Sequence, residues 1–253
     1  MVARASDTLV GQLSDVILPP AVSLRLRARI RHGAYAQFAP PPILSELVPP
    51  GSVAVDVGAH RGLWSYAMSH LASAVHAFEP NPAVYAYLSR IRVRSVHAHQ
   101  IALSNKEGMA SLYQPDEWRS GRATIALQKG RSIATVPVRT LDSFQLENLG
   151  FIKIDVEGHE EAVLEGAKHT LEMWHPTLLV EIEERHNPGA LLRIPDVLLE
   201  TGYGYQYFLT REGLFPLEEF DVQRNQLDVA EGAETASSKY ANNFVFAAAP
   251  LPS

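Results

Sequence analysis

The chain of 253 residues contains no cysteine, which excludes disulfides, thiolate metal sites and cysteine nucleophiles. No uninterrupted apolar run approaches the length needed to cross a bilayer. The opening stretch MVARASDTLVGQLSDVILPP is broken by Asp7 and Asp15, so it lacks the continuous apolar centre of a secretory signal. Basic charge is in deficit: 22 Lys and Arg against 28 Asp and Glu leave a net charge of −6. That balance argues against a general affinity for phosphate backbones, which requires a concentrated basic surface. Two arginine groups, Arg25, Arg27, Arg29 and Arg31 with His32, then Arg90, Arg92 and Arg94, are too short to diagnose a nucleic-acid or membrane helix and read as solvated faces. No repeat is visible at periods of about 20 to 50 residues. A cytoplasmic soluble protein is expected, with peripheral membrane contact left open.

What is present is an ordinary globular composition, 46% hydrophobic and 20% charged, long enough to bury one large core. Residues 1–50 carry Pro19, Pro20, Pro40, Pro41, Pro42, Pro49 and Pro50, and read as a leader with short helices, about two, packed on the body. Residues 51–253 then form a single domain. Ser52 to Val57, Ala74 to Phe78 and Ser95 to Ile101 are apolar strands, separated by helical spacing over Leu63 to Leu71 and over Val84, Tyr87, Leu88 and Ile91. Such alternation implies a parallel sheet covered by helices on both faces. From about 108 to 143 the pattern becomes short β-forming runs, read as an antiparallel insertion that could cover a ligand. Strand Phe151 to Val156, helix His159 to Met173, strand Thr177 to Ile182 and helix Ala190 to Glu200 resume the alternation. Tyr203 to Leu209, Gly213 to Leu217 and Asn243 to Ala248 are expected to complete the sheet in antiparallel fashion, with Gln223 to Ser238 as a polar loop.

The stretch VDVGAHRGLWSYAMSHLASAVHAFE, residues 55 to 79, places Asp56 at the end of one strand and Glu79 at the end of the next. Their separation is the one at which a strand, turn, helix and strand return an acid to the ribose of a nucleotide-like ligand. Gly58 and Gly62 are spaced G-x-x-x-G rather than G-x-G-x-x-G, which favours a cofactor without a pyrophosphate. A second constellation, FIKIDVEGHEEAVLEGA over 151 to 167, sets Lys153 and Asp155 in an apolar strand followed by Glu157, Gly158 and His159. Glu160 and Glu161 read as first-turn acids favoured by the helix dipole. A third, LLVEIEERH over 178 to 186, puts Glu181 and Glu183 on one strand face, with Glu181 pointing into the same crevice as Asp155 and in need of a partner such as Lys153, a hydroxyl substrate or a cation.

The order VDVGAHRG, VHAFEPNP, IALSNKEG, VPVRTLDSF, FIKIDVEGHEEAVLEGA and LLVEIEE resembles the FkbM-type methyltransferases, which are similar to other class I S-adenosylmethionine-dependent enzymes. The likeness runs from about 45 to 190, with a looser match at NNFVFAAAP, and its specific part is KIDVEGHE together with TLD. It implies an α/β Rossmann-like class I fold: a mostly parallel seven-stranded sheet with an antiparallel C-terminal strand and a small β insertion. It also implies O-methylation, often of a sugar, glycan or polyketide hydroxyl. Carried over, Asp56, Gly58, His60 and Gly62 line the methionine and ribose end of the cofactor, Glu79 holds the ribose hydroxyls, Pro80 and Asn81 shape the adjoining pocket, and Ala102, Leu103 and Ser104 border the adenine at the end of the third strand. His60 departs from the more usual Asn, and His159 occupies a position that is often small or aromatic in relatives.

Methyl transfer from a sulfonium is an in-line displacement in which the acceptor hydroxyl must also lose its proton. Asp155 and His159 are the leading base candidates, with His186 behind them and Glu181 facing the same crevice. Alternatively Asp155, Glu157 and Glu181 could hold Mg²⁺ to lower the hydroxyl's pKa, although their spacing does not establish a site. Trp118, Arg119, Arg122, Tyr205 and Tyr207 are candidates for contacting a saccharide. Two rivals remain: a nicotinamide-dependent oxidoreductase, disfavoured by the missing third glycine, and a non-catalytic member that keeps the fold as a binding module.

Overall fold

The computed structural model describes residues 43–114, 123–125, 130–185, 187–229 and 239–251. Its strands are β1 (Val53–Val57), β2 (Ala74–Phe78), β3 (Val96–His99), β4 (Ala102–Leu103), β5 (Gly108–Gln114), β6 (Arg131–Arg139), β7 (Leu149–Ile154), β8 (Thr177–Glu181), β9 (Tyr205–Leu209), β10 (Leu214–Pro216) and β11 (Asn243–Ala247). Its α-helices are α1 (Leu44–Leu47), α2 (Leu63–Met68), α3 (Pro82–Leu88), α4 (Glu160–Glu165), α5 (Lys168–Trp174) and α6 (Ala190–Glu200). The main sheet has the order β10-β9-β11-β8-β7-β1-β2-β3, and β4, β6 and β5 form a second sheet of three strands.

Strands β3, β2, β1, β7 and β8 are mutually parallel, so each needs a helical crossover and each is covered on both faces. Val55, Val57, Ile152, Ile154, Leu178 and Val180 pack on one side with Leu164, Leu171, Ile194 and Leu198 from α4, α5 and α6. Ala54, Val75, Phe151 and Leu179 pack on the other with Leu44 and Leu47 of α1 and Met68 of α2. Each fully buried aliphatic side chain contributes roughly 1.5–3 kcal/mol, so these runs hold the strand ends in fixed register. Lys153 is the one charged side chain in the LGFIKI strand and is itself 3% exposed.

Several details differ from the sequence expectation. The main sheet has eight strands rather than seven, because β10 adds an outer edge beyond β9. The three C-terminal strands do complete the sheet through antiparallel pairings, β11 with β8, β11 with β9 and β10 with β9, which leaves β9 running in the sense of the parallel strands. Ala102 and Leu103 do not extend β3; they form β4, parallel to β6 in the second sheet, which is therefore mixed rather than antiparallel. The helix expected over His159 to Met173 is two helices. The chain breaks at Gly166, whose carbonyl is taken by the Asp142 N–H at 3.1 Å instead of by a later turn. Gln223–Leu227 is a π-helical turn with Asn225 and Gln226 buried, where a loop was expected. Of the leader, residues 43–48 pack through Leu44, Leu47 and Val48, while residues 1–42 lie outside the described residues, as do Trp118, Arg119, Arg122 and His186.

Candidate functional site

The register of the parallel strands brings the chemistry-bearing residues to one rim. Asp56 of β1 lies beside Ala77 of β2 and Lys153 of β7, and Lys153 lies beside Leu179 of β8. One step further along, Asp155 and Glu181 leave their strands next to each other, and Glu79 leaves β2 beside Gly58.

On the β1 and β2 side the backbone does the shaping. Gly58 and Ala59 both donate to the Phe78 carbonyl, at 3.0 and 2.9 Å. Gly58 adopts φ +77°, and a Cβ there would stand 1.8 Å from the Asp155 carbonyl oxygen, so only glycine fits. Gly62, at φ +79°, caps α2; its missing Cβ faces the Leu88 and Ile91 side chains. At Gly62 the missing side chain thus serves helix packing. His60 adopts φ 49°, a left-handed conformation in which Asn and His are enriched.

That conformation aims the His60 N–H at Glu79 Oε2, at 2.9 Å, while the Asn81 N–H meets Glu79 Oε1 at 2.8 Å. Glu79 is 7% exposed, and burial pushes its pKa up to about 7 against the pull of these two bonds. Each carboxylate oxygen has two acceptor sites, so one per oxygen remains beyond the two backbone donors, the arrangement that vicinal hydroxyls require. Asn81 itself caps α3 through Oδ1 and the Ala83 N–H at 3.1 Å, and Pro82 starts that helix.

Asp56 has no exposed surface. Its Oδ2 accepts from the Ser65 hydroxyl at 2.5 Å, whereas Oδ1 has no hydrogen-bond partner and stands 3.9 Å from Lys153 Nζ. Burial raises its pKa, with Lys153 the main opposing influence. Asp56 thus sits beneath the rim, between Ser65 and Lys153. Lys153 Nζ donates to Asp155 Oδ2 at 2.9 Å and lies 5.4 Å from the Trp64 ring centroid. Burial alone lowers the Lys153 pKa, but Asp155 and Asp56 reverse the sign and raise it.

On the β7 and β8 side the shaping is by charge. Burial, then Asp155, Glu157 and Glu183, push the Glu181 acid well up. Glu181 accepts from Asn242 Nδ2, and Glu183 accepts from the Tyr240 hydroxyl at 2.8 Å and from Asn242 Nδ2 at 3.1 Å. Lys153, one of the partners open to Glu181, bears on it by charge but donates its hydrogen bond to Asp155. His159 lies farther along, with Nε2 2.9 Å from the Ser104 hydroxyl. Ser104 in turn donates to Asn105 Oδ1 at 3.3 Å, and Asn105 Nδ2 reaches Glu165 at 2.7 Å, an order that assigns the proton of His159 to Nε2. Burial, with help from Lys106, lowers the His159 pKa. Ala102 and Leu103 are buried in apolar clusters, leaving Ser104 as the polar member of that trio.

Other residues are structural. Glu160 Oε1 accepts from the Gly158 N–H at 2.8 Å, and Glu161 is held by Arg193 through two bonds of 2.8 and 2.9 Å. Tyr205 pairs with Ala247 while Leu209 pairs with Asn243, which places Tyr205 at the end of β9 away from the rim. Among the described residues no group of three or more His, Asp or Glu is placed to hold a metal, so the cation expectation at Asp155, Glu157 and Glu181 gains no support. No helix among them is long and apolar enough to cross a membrane. Ser65, Trp64, Tyr240 and Asn242 had no signal of their own in the sequence, because each acts through a neighbour distant along the chain.

Residues 56–207 match the model of the methyltransferase FkbM domain. The chain is 28% identical over 205 residues to the 31-O-demethyl-FK506 methyltransferase FkbM of Streptomyces tacrolimicus, covering 66% of this chain and 77% of that one. It also superposes on the crystal structure of methyltransferase FkbM from Methylobacillus flagellatus KT with a TM-score of 0.52 at 15% identity. That likeness covers 95% of this chain and 59% of the other, so the chain spans about three fifths of its length.

Proposed function

The chain belongs to the FkbM methyltransferase domain family, and from that premise we propose that it transfers a methyl group from S-adenosylmethionine to a hydroxyl oxygen of a sugar, glycan or polyketide-type acceptor. The observation that carries the reading is the Glu79 carboxylate, buried at the end of β2 and clamped by the N–H groups of His60 and Asn81. A carboxylate so fixed is preorganised for two vicinal hydroxyls, because it loses no rotamer freedom when they arrive. The relative from Streptomyces tacrolimicus is named for an O-methylation, which supports oxygen as the acceptor atom.

The residues fit the cofactor in their donor chemistry. Glu79 would hold the ribose, the 58–62 turn would pass beneath the methionine end, and Ser104 with Asn81 would border the base. When bound, the cofactor supplies an electrophilic methyl on a positively charged sulfur. The protein's own part is to align the acceptor oxygen and to receive its proton. Asp155 is the base of choice: it stands at the strand end next to the turn that cradles the cofactor, and Lys153 fixes its carboxylate. His159 is committed to Ser104 through Nε2, so it acts on the base side of the pocket.

Isothermal titration with S-adenosylhomocysteine tests the pocket. Glu79→Ala should abolish measurable binding while the circular dichroism spectrum stays native, and Asp56→Ala should do the same by releasing Ser65 and Lys153. Unchanged affinity in both variants removes the assignment. Methyl transfer from labelled S-adenosylmethionine to neutral sugar and macrolide hydroxyls, with and without EDTA, then identifies the acceptor class and the contribution of any cation.

A further inference from the structure

Lys153 is out of place by the rules that build the rest of β7. It lies between Ile152 and Ile154, is 3% exposed, and occupies a position where a methionine or leucine would extend the apolar run. Replacing a buried ion pair by well-packed apolar groups is often neutral or stabilising, so stability does not explain a lysine here. Its geometry does. Nζ touches Asp155 Oδ2 at 2.9 Å, stands 3.9 Å from the otherwise unpartnered Asp56 Oδ1, and has the Trp64 ring at 5.4 Å.

We propose that Lys153 is the positioning residue of the transfer site: its ammonium holds the Asp155 carboxylate in charged form at the rim and ties it to Asp56 beneath the cofactor turn. The inference rests on the methyltransferase reading, which gives Asp155 its task.

The charges facing this ammonium come from three strands. Asp56 faces it from β1, Asp155 from β7 and Glu181 from β8, and Glu157 and Glu183 bear on Glu181 in turn. Glu79 feels both Asp56 and Asp155. Like charges gathered in a low-dielectric crevice cannot all remain ionised, and the cluster takes up protons until the repulsion is relieved. One buried cation against this many carboxylates decides which of them stays charged, and the one in contact is Asp155. A protonated Asp155 could not accept the acceptor's proton, so loss of the ammonium removes the base without removing the carboxyl group.

The test uses the full chain saturated with S-adenosylhomocysteine, carrying aspartate labelled with ¹³C at the carboxyl carbon, with the Asp155 resonance assigned by Asp155→Asn. Following that resonance against pH should show the carboxylate form in the wild type through the neutral range. In Lys153→Met the midpoint should move upward by about one pH unit or more, and Lys153→Arg should return it towards the wild type. Once an acceptor is found, the acid limb of the kcat profile should move with the resonance while KM for the acceptor stays put. A purely structural lysine would lower the melting temperature but leave the midpoint in place, and that result overturns the inference. Should Lys153→Met not fold, the wild type decides alone: Asp155 found protonated at pH 7 overturns it. Failure of the wild type to bind S-adenosylhomocysteine or S-adenosylmethionine is a different outcome, which removes the functional reading itself.

Discussion

The two halves of the rim are built by different means. At the ends of β1 and β2 the rim is made of backbone: two left-handed residues, Gly58 and His60, and four N–H groups directed at one carbonyl and one carboxylate. At the ends of β7 and β8 it is made of side-chain charge, with Asp155 and Glu181 facing Lys153, and Glu157 and Glu183 bearing on Glu181. On the proposed reading the first half is the mould for a cofactor of fixed shape. The second sets the protonation of whatever group approaches it and places few constraints on outline. The methyl transfer proposed above would call for this division, since only the half that meets the cofactor need stay the same when the acceptor changes.

The strongest way to break the comparison is at the point where the halves touch. Gly58→Ala puts a methyl group 1.8 Å from the Asp155 carbonyl at a φ that disfavours any side chain. Backbone cannot yield there as a flexible side chain would, so unfolding in urea should show a loss of about 3–5 kcal/mol. Gly62→Ala meets only the Leu88 and Ile91 side chains, which can shift, and should lose about 1–3 kcal/mol. Equal losses at the two sites would mean that the halves are not braced against each other through Gly58.

Next in size is the ligand clamp. Glu79→Gln offers one acceptor oxygen where two backbone donors need partners, and its amide nitrogen must face one of those N–H groups. S-adenosylhomocysteine affinity should fall about 10- to 100-fold. The same group predicts a pH effect of two opposite signs. Glu79 has a folded pKa raised from 4.5 to about 7, so between those values the native state binds a proton that the unfolded chain has released. Its contribution to stability is therefore full below the unfolded value and is lost as pH rises to about 7. Ribose hydroxyls donate, and so favour the ionised form; affinity should rise with pH up to about 7 and then level off. Titration calorimetry and thermal melts across that range check both slopes, and Glu79→Gln should flatten each.

The sequence displayed the two halves unequally. Asp56 and Glu79 stood out because one interrupts and the other follows a short apolar strand, and the resemblance put Asp155 and Glu181 in the neighbouring blocks. The parallel sheet was legible from its runs: VAVDV and LLVE are apolar but for one acid each, near what strands covered on both faces require. What stayed hidden depends on tertiary approach. Nothing local marks Gly62 as a packing glycine, since the Leu88 and Ile91 side chains it meets come from a later helical region. Nor could the partner of Lys153 be chosen between Asp155 and Glu181, which both alternate onto its face of the sheet. The break at Gly166 and the turn at Gln223–Leu227 follow from carbonyls captured by residues remote in sequence, and periodicity does not record them.

The smallest expected effect sharpens the comparison most, because it separates shape from chemistry at one residue. If the β1 turn is a mould, His60 matters for its backbone: φ 49° and an N–H aimed at Glu79. Asn tolerates that conformation as readily as His, so His60→Asn should leave urea stability within about 0.5 kcal/mol and S-adenosylhomocysteine affinity within about threefold. Valine does not tolerate it; His60→Val should lose about 1–2 kcal/mol and should weaken binding as the N–H swings off the carboxylate. A loss of affinity in His60→Asn as large as that in Glu79→Gln would show that the imidazole itself meets the ligand, and the cofactor half would then read by side chain as the acceptor half does.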